Sequence, residues 1–182
     1  HHPAYVDLTE LHGHDLDMSR SLLKEAGYGG GLELTLKLPP PEYARRSGEI
    51  IAAQLAKVGI KVVIENMQWA RWLDVVYKQK NYDLSIVSHV EPNDINIYAN
   101  PKYYFQYDNQ EFRDIITRVD TAFNSKERYA YLRDAQRKLA GDCVNGFLFQ
   151  LAKAGVARRE LKGLWQNWPM FVNDMAAVYW EE

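Results

Sequence analysis

LELTLKLPPPEYARRSGEIIAAQLAKVGIKVVI, residues 32 to 64, decides the fold class. The first seven residues alternate apolar and polar side chains, the period of a strand with one polar face. Prolines 39 to 41 stop that strand and stand where a helix can begin. Ile51, Leu55 and Val58 then recur at helical spacing, and Gly59 ends the helix. Ile60 to Ile64 is rich in β-branched residues and reads as a second strand.

The pattern extends on both sides of this stretch. Upstream, Asp17 can cap a helix that runs through Leu22 and Leu23 to Ala26, and Gly27 supplies its left-handed end. Gly29 to Gly31 joins helix to strand, the wrong order for a nucleotide-binding fingerprint. Downstream, Trp69, Trp72, Leu73 and Val76 make one helical stripe. Tyr82 to Val87 then reads as a third strand. Helices and strands in alternation argue for an α/β domain with a largely parallel sheet.

That third strand runs into a polar loop carrying His89, Glu91, Asp94 and Asn96. Strands of open α/β sheets present ligand-contacting side chains in such loops. Glu91 and Asp94 could pair with a cationic group such as a peptide's α-ammonium. They serve equally as turn formers in Glu91-Pro92-Asn93-Asp94. His89 with these carboxylates could also ligate a metal, or act as an acid–base pair in a small enzyme. The Tyr- and Asn-rich connection from 93 to 108 has little periodicity, as functional or flexible loops do.

Two further helices follow. Asn109 caps the first, with Phe112, Ile115, Ile116, Val119 and Phe123 on its inner face. Ser125 caps the second, with Tyr129, Leu132 and Leu139 inward and Gly141 at its end. Gly146 to Leu151 (GFLFQL) and Gly155 to Ala157 read as strands, with Phe147 and Phe149 on one face able to line a cleft. Ala176 to Trp180 is a further possible strand.

Composition excludes several classes. The 182 residues carry a formal net charge of −2, which leaves no basic footprint for nucleic acid. Hydrophobic residues make up 47% and aromatic ones 13%, enough for a packed core. No apolar run reaches the roughly 18–20 residues of a membrane span. One cysteine, Cys143, rules out a disulfide framework within the chain. G-x-S-x-G, phosphate-loop and H-E-x-x-H motifs are absent, and nothing implies a cofactor. His12 and His14 read as surface histidines, and residues 1–14 as a tag remnant and extended lead-in.

Three segments together carry a resemblance: SRSLLKEAGYGGG with LELTLKL, then GEIIAAQLAKVGIKVVIENMQWARWLDVVYKQKNYDLSI, then YDNQEFRDIITRVDTAFNSKERYAYLRDAQRKLAGD. In order and spacing the chain resembles the C-terminal lobe of the substrate-binding proteins of ABC importers, in the oligopeptide, dipeptide and nickel group (solute-binding protein family 5). The resemblance implies a periplasmic-binding-protein-like lobe with a mixed, mostly parallel sheet and helices on both faces. It implies that residues 1–182 are a single lobe, the C-terminal domain of a larger two-lobed protein whose N-terminal lobe is missing here. It further implies a periplasmic or other extracytoplasmic location, no catalysis, an oligopeptide or dipeptide ligand and a membrane permease as partner. In that family the loop has the form Trp, two residues, Asp, two residues, Asp-Pro. Ser88 stands at the Trp, Glu91 at the first acid, Asp94 at the second and Ile95 at the Pro. Glu91 thereby inherits the binding of a peptide's amino terminus. The alternatives are a small α/β enzyme using His89 with Glu91 or Asp94, or a nickel-complex binder of the same family.

Overall fold

The computed structural model describes residues 2–90, 94–151, 154–165 and 175–181. Three parallel strands form the main sheet in the order β2-β1-β3. β1 (Leu32–Leu38) lies between β2 (Ile60–Asn66) and the short β3 (Leu84–Ser85). β1 pairs with β2 from Leu32↔Ile60 to Leu38↔Asn66, and with β3 at Leu36↔Leu84 and Lys37↔Ser85. The third strand is thus shorter than its apolar run. Beside it, the Asp83 carboxylate accepts the Thr35 N–H at 2.8 Å, a side chain standing in for a further ladder bond.

Alternation along β1 sends its residues to two different layers. Leu36 and Leu38 pack with Ala44, Ile86 and the half-buried Ile51 under α2 (Glu42–Ala56). Burial of each leucine contributes about 2 kcal/mol. The helix comes close because Gly48 faces the sheet: a Cβ there would lie 2.5 Å from Leu38 Cδ1. On the other face Ser85 Oγ donates to the Lys37 carbonyl at 2.7 Å and accepts the Trp72 indole N–H at 3.0 Å. Lys37 itself is buried, its ammonium donating to the Asn81 carbonyl at 2.6 Å.

Trp72 belongs to α3 (Trp69–Trp72), which continues as a π-helix over Leu73–Lys78. Here the expected stripe splits. Trp72 and Val76 are buried, whereas Trp69 and Leu73 are exposed. The π-turn, closed by Gln79 N–H to the Asp74 carbonyl, widens the winding, so side chains four apart align and Leu73 rotates out with Trp69.

The remaining helices pack on one another. α4 (Gln110–Thr121) and α5 (Ser125–Gly141) share Phe112, Ile116, Ala135 and Leu139. Asn109 caps α4 as its sequence predicts, but Asn124, not Ser125, caps α5. Asn124 Oδ1 accepts the Glu127 N–H, and Glu127 Oε2 accepts the Phe123 N–H, a reciprocal box that reaches one residue further back. That box turns Phe123 outward, so it leaves the α4 face and is 96% exposed. α1 (Leu16–Glu25) is likewise capped by Asp15, whose carboxylate accepts the Asp17 and Met18 N–H groups. The lead-in before it lies along α5: Arg133 and Gln136 donate to the Pro3 and Ala4 carbonyls, and His12 reaches the Ala140 carbonyl. Ala4 is buried there.

Beyond α5 the expected strands are absent. Residues 146–151 and 155–157 have no regular structure. A two-stranded antiparallel pair forms instead, β4 (Leu161–Lys162) with β5 (Tyr179–Trp180), the latter inside the predicted final strand.

Candidate functional site

Because β1, β2 and β3 are parallel, their carboxyl ends share one edge of the sheet, where open α/β folds hold ligands. Tyr43 in the first turn of α2, Met67 after β2 and the loop after β3 all stand at that edge. The loop leaves through Ile86 and Val87, and the Ser88 N–H donates to the Tyr43 hydroxyl at 2.8 Å.

His89 is held from both sides. Its Nδ1 faces Asp94 Oδ2 at 3.3 Å, and its Nε2 lies 2.9 Å from the Tyr104 hydroxyl. Burial pushes the Tyr104 phenol well above its ordinary range, so the hydroxyl keeps its proton and can donate. With Nε2 accepting from that hydroxyl, the ring N–H is at Nδ1, toward the Asp94 carboxylate. The imidazole stacks on Tyr104 with centroids 6.1 Å apart and tilts against Tyr103 and Phe105. His89 and Asp94 therefore pin the two sides of the loop to an aromatic floor.

That floor is the part of the site least visible in the sequence. Tyr104 is buried with Met67, Trp72 and Val76, and the Tyr82 hydroxyl donates to its carbonyl at 2.8 Å. Tyr98, on the 3₁₀ turn Asp94–Ala99, stacks on Phe105 with centroids 4.8 Å apart. Burial pushes the Tyr98 phenol up to about 12, against a lowering hydrogen bond from the Asn145 amide at 2.5 Å. The Tyr-Tyr-Phe run at 103–105 was the available signal, within a connection whose only sequence mark was its lack of period.

The expected ligand residues are thus divided. His89 and Asp94 come together, Asn96 is exposed on the same 3₁₀ turn, and Glu91 lies outside the described residues. Phe147 and Phe149 are exposed on the stretch after Asn145, whose side chain reaches Tyr98. Among the described residues no three His, Cys, Asp or Glu side chains gather as a metal site. A groove of about 370 Å³ at the opposite edge is lined by Arg20, Lys24 and Lys57 beside Gly31 and Gly59. Lys24 and Lys57 end α1 and α2, where cations offset the helix dipoles, so this charge has a structural use.

Residues 1–114 match the family described as bacterial extracellular solute-binding proteins, family 5, middle region. The chain belongs to that family. Among curated protein sequences none matches it. Solved structures with the same fold include a dipeptide-binding protein from Pseudoalteromonas sp. SM9913 in complex with Met-Leu (TM-score 0.73, 19% identity, 98% of this chain and 38% of that one). The Escherichia coli murein tripeptide-binding protein MppA matches with TM-score 0.73 and 20% identity over 92% of this chain and 35% of its own. The Helicobacter pylori periplasmic binding protein DppA, in complex with the peptide STSA, matches with TM-score 0.69 and 21% identity over the same shares. This chain therefore spans little more than a third of the length of the structures it matches.

Family 5 is a family of solute-binding proteins and not of enzymes, so the acid–base alternative for His89 falls. It also places the protein among the bacterial extracellular solute-binding proteins. No helix among the described residues is long and apolar enough to cross a membrane.

Proposed function

We propose that this chain is the C-terminal lobe of an ABC importer's substrate-binding protein, and that it closes with an N-terminal lobe on a peptide for delivery to a membrane permease. The observation that carries this reading is the polar loop at the carboxyl edge of a parallel sheet, in a chain of family 5. In this reading Glu91 receives the peptide's α-ammonium, Asn96 offers a neutral hydrogen-bonding group, and Phe147 and Phe149 line the cleft. Asp94 and His89 fix the loop that presents Glu91. The loop has serine at position 88, so the aromatic surface comes from the Tyr98, Tyr103 and Phe105 group beneath it.

Calorimetry on the full-length protein with Met-Leu, STSA and a tripeptide tests the reading. Glu91→Gln is expected to weaken the best of them about 10-fold or more, from the roughly 1.5–3 kcal/mol of a hydrogen bond to a charged group. An unchanged Kd removes Glu91 from the site. Residues 1–182 alone are expected to bind poorly, since half of the walls are absent. Tight binding by that fragment would contradict a two-lobed site.

A further inference from the structure

At the amino edge of the sheet, opposite the polar loop, the ends of α1 and α2 meet the Gly29–Gly31 turn around the groove of about 370 Å³. That volume falls within the roughly 300–1,000 Å³ of small-molecule sites. Leu23, Tyr28 and Val58 give it apolar walls, and Arg20, Lys24 and Lys57 line it with cations. Cations at a helix end can serve the free carbonyls there. Here those carbonyls are already taken. Leu22, Leu23 and Lys24 accept from the N–H groups of Ala26, Tyr28 and Gly27, and Gln54, Leu55 and Ala56 from those of Lys57, Val58 and Gly59. The Lys57 carbonyl accepts from Arg20 at 2.9 Å. Asp17 pairs with Arg20 at 2.8 Å, whereas neither Lys24 nor Lys57 pairs with a carboxylate among the described residues. The two helix dipoles draw off about half a charge each, which leaves the groove a net positive charge of about one. The turn adds a donor: the Gly29 N–H has no partner among the described residues. The Lys24 stem lies beside it, its Cγ 3.4 Å from where a Cβ on Gly29 would sit.

We propose that this groove is a second binding site, for a phosphoester anion that carries an apolar group. The phosphoryl oxygens take the Lys24 and Lys57 ammonium groups and the Gly29 N–H, and the apolar group lies against Leu23, Tyr28 and Val58. Lysine binds phosphate as a point charge, which suits two flexible ammonium groups on separate elements. Such a ligand also has a mechanical effect. α1 buries no residue, and among the described residues the bond from Arg20 to the Lys57 carbonyl is the hydrogen bond that ties it to another element. An anion held between Lys24 and Lys57 bridges the two helices and fixes α1 to the sheet. The site lies at the far edge from the peptide loop and does not depend on the peptide reading.

Calorimetry on the full-length protein with phenyl phosphate tests this. A Kd of about 1 mM or below is expected, with inorganic phosphate at least about 5-fold weaker for want of the apolar contact. Lys24→Gln and Lys57→Gln should each weaken phenyl phosphate about 3-fold, the worth of an exposed ion pair, and the double variant about 10-fold. Both lysines are exposed, so neither change disturbs the core. No binding of phenyl phosphate, or undiminished binding by the double variant, would overturn the site. Equal affinity for inorganic phosphate would overturn the ligand class. Hydrogen exchange reads the bridge directly: saturating phenyl phosphate should slow the α1 amides about 5-fold and leave those of α4 unchanged. Unchanged α1 exchange would overturn the bridge. Vesicles distinguish the two sources of such an anion. Sedimentation with phosphatidylglycerol but not phosphatidylcholine, lost in the double variant, assigns a lipid headgroup. Binding of phenyl phosphate without sedimentation assigns a soluble phosphoester.

Discussion

Leu38 and Leu151 are the same residue in two regions of one chain, the first fully buried and the second more than half exposed. Both sit in stretches that read as strands, LELTLKL and GFLFQL. β1 finds β2 and β3 on its flanks and α2 over one face, all supplied by the following fifty residues. GFLFQL finds no partner strand among the described residues. Strand sequence states a demand for neighbours, and only tertiary structure shows whether the chain at hand meets it.

Identical truncations at the two leucines are the strongest way to break this contrast. In residues 1–182, Leu38→Ala is expected to cost about 3 kcal/mol in urea unfolding, from lost burial and a cavity against Gly48. Leu151→Ala in the same chain should change stability by no more than about 0.5 kcal/mol. Equal losses would mean that the tail packs on this lobe after all.

The loop between these extremes should give an intermediate effect. Tyr104→Phe removes the hydroxyl beside His89 Nε2 and leaves a half-buried acceptor unpaired, a loss of about 1–2 kcal/mol in the same assay. No change would show that His89 has another partner and that the aromatic floor does not hold the loop.

The smallest effect concerns the C-terminal end of α5. Asp142, the C-cap of α5, accepts hydrogen bonds from the Tyr107 hydroxyl at 2.6 Å and the Asn109 amide at 2.9 Å, and faces Lys138 at 3.2 Å. These partners, the Tyr107 hydroxyl foremost, hold its carboxyl below the usual range. A folded value lower than the unfolded one, about 3.9, gives stability that is complete above that value and lost as pH falls through the folded one. Wild-type Tm should therefore drop more steeply with acid than that of Asp142→Asn below about pH 4. Parallel Tm profiles would show that this joint contributes nothing to acid stability.

What could be read beforehand follows the range of the forces involved. The β1-α2-β2 unit was legible because its period, prolines and Gly59 act within a few residues. Helix caps were legible to within two positions, since Asp15 and Asp17, or Asn124 and Ser125, are chemically equivalent candidates. The π-turn at Leu73–Lys78 was not, for it swings Trp69 and Leu73 outward without a marker in local pattern. The loop after β3 was located, but not the bond from His89 to a tyrosine fifteen residues on. GFLFQL was read as a strand from its composition, while its missing neighbours lie beyond any local pattern.

The lead-in that lies along α5 has a kinetic consequence. Gln136 bonds the backbone of residues 4 and 6 across a separation of about 130 positions. During synthesis residues 2–12 must wait for their α5 contacts until that helix has emerged, while β1, α2 and β2 can assemble from contacts far closer in the chain. Closure of this lobe should therefore be a late step, timed by the arrival of a helix and not by collapse of the sheet. A nascent chain stalled before residue 125 would hold its βαβ unit folded and residues 2–12 loose, open to a chaperone or protease until α5 arrives.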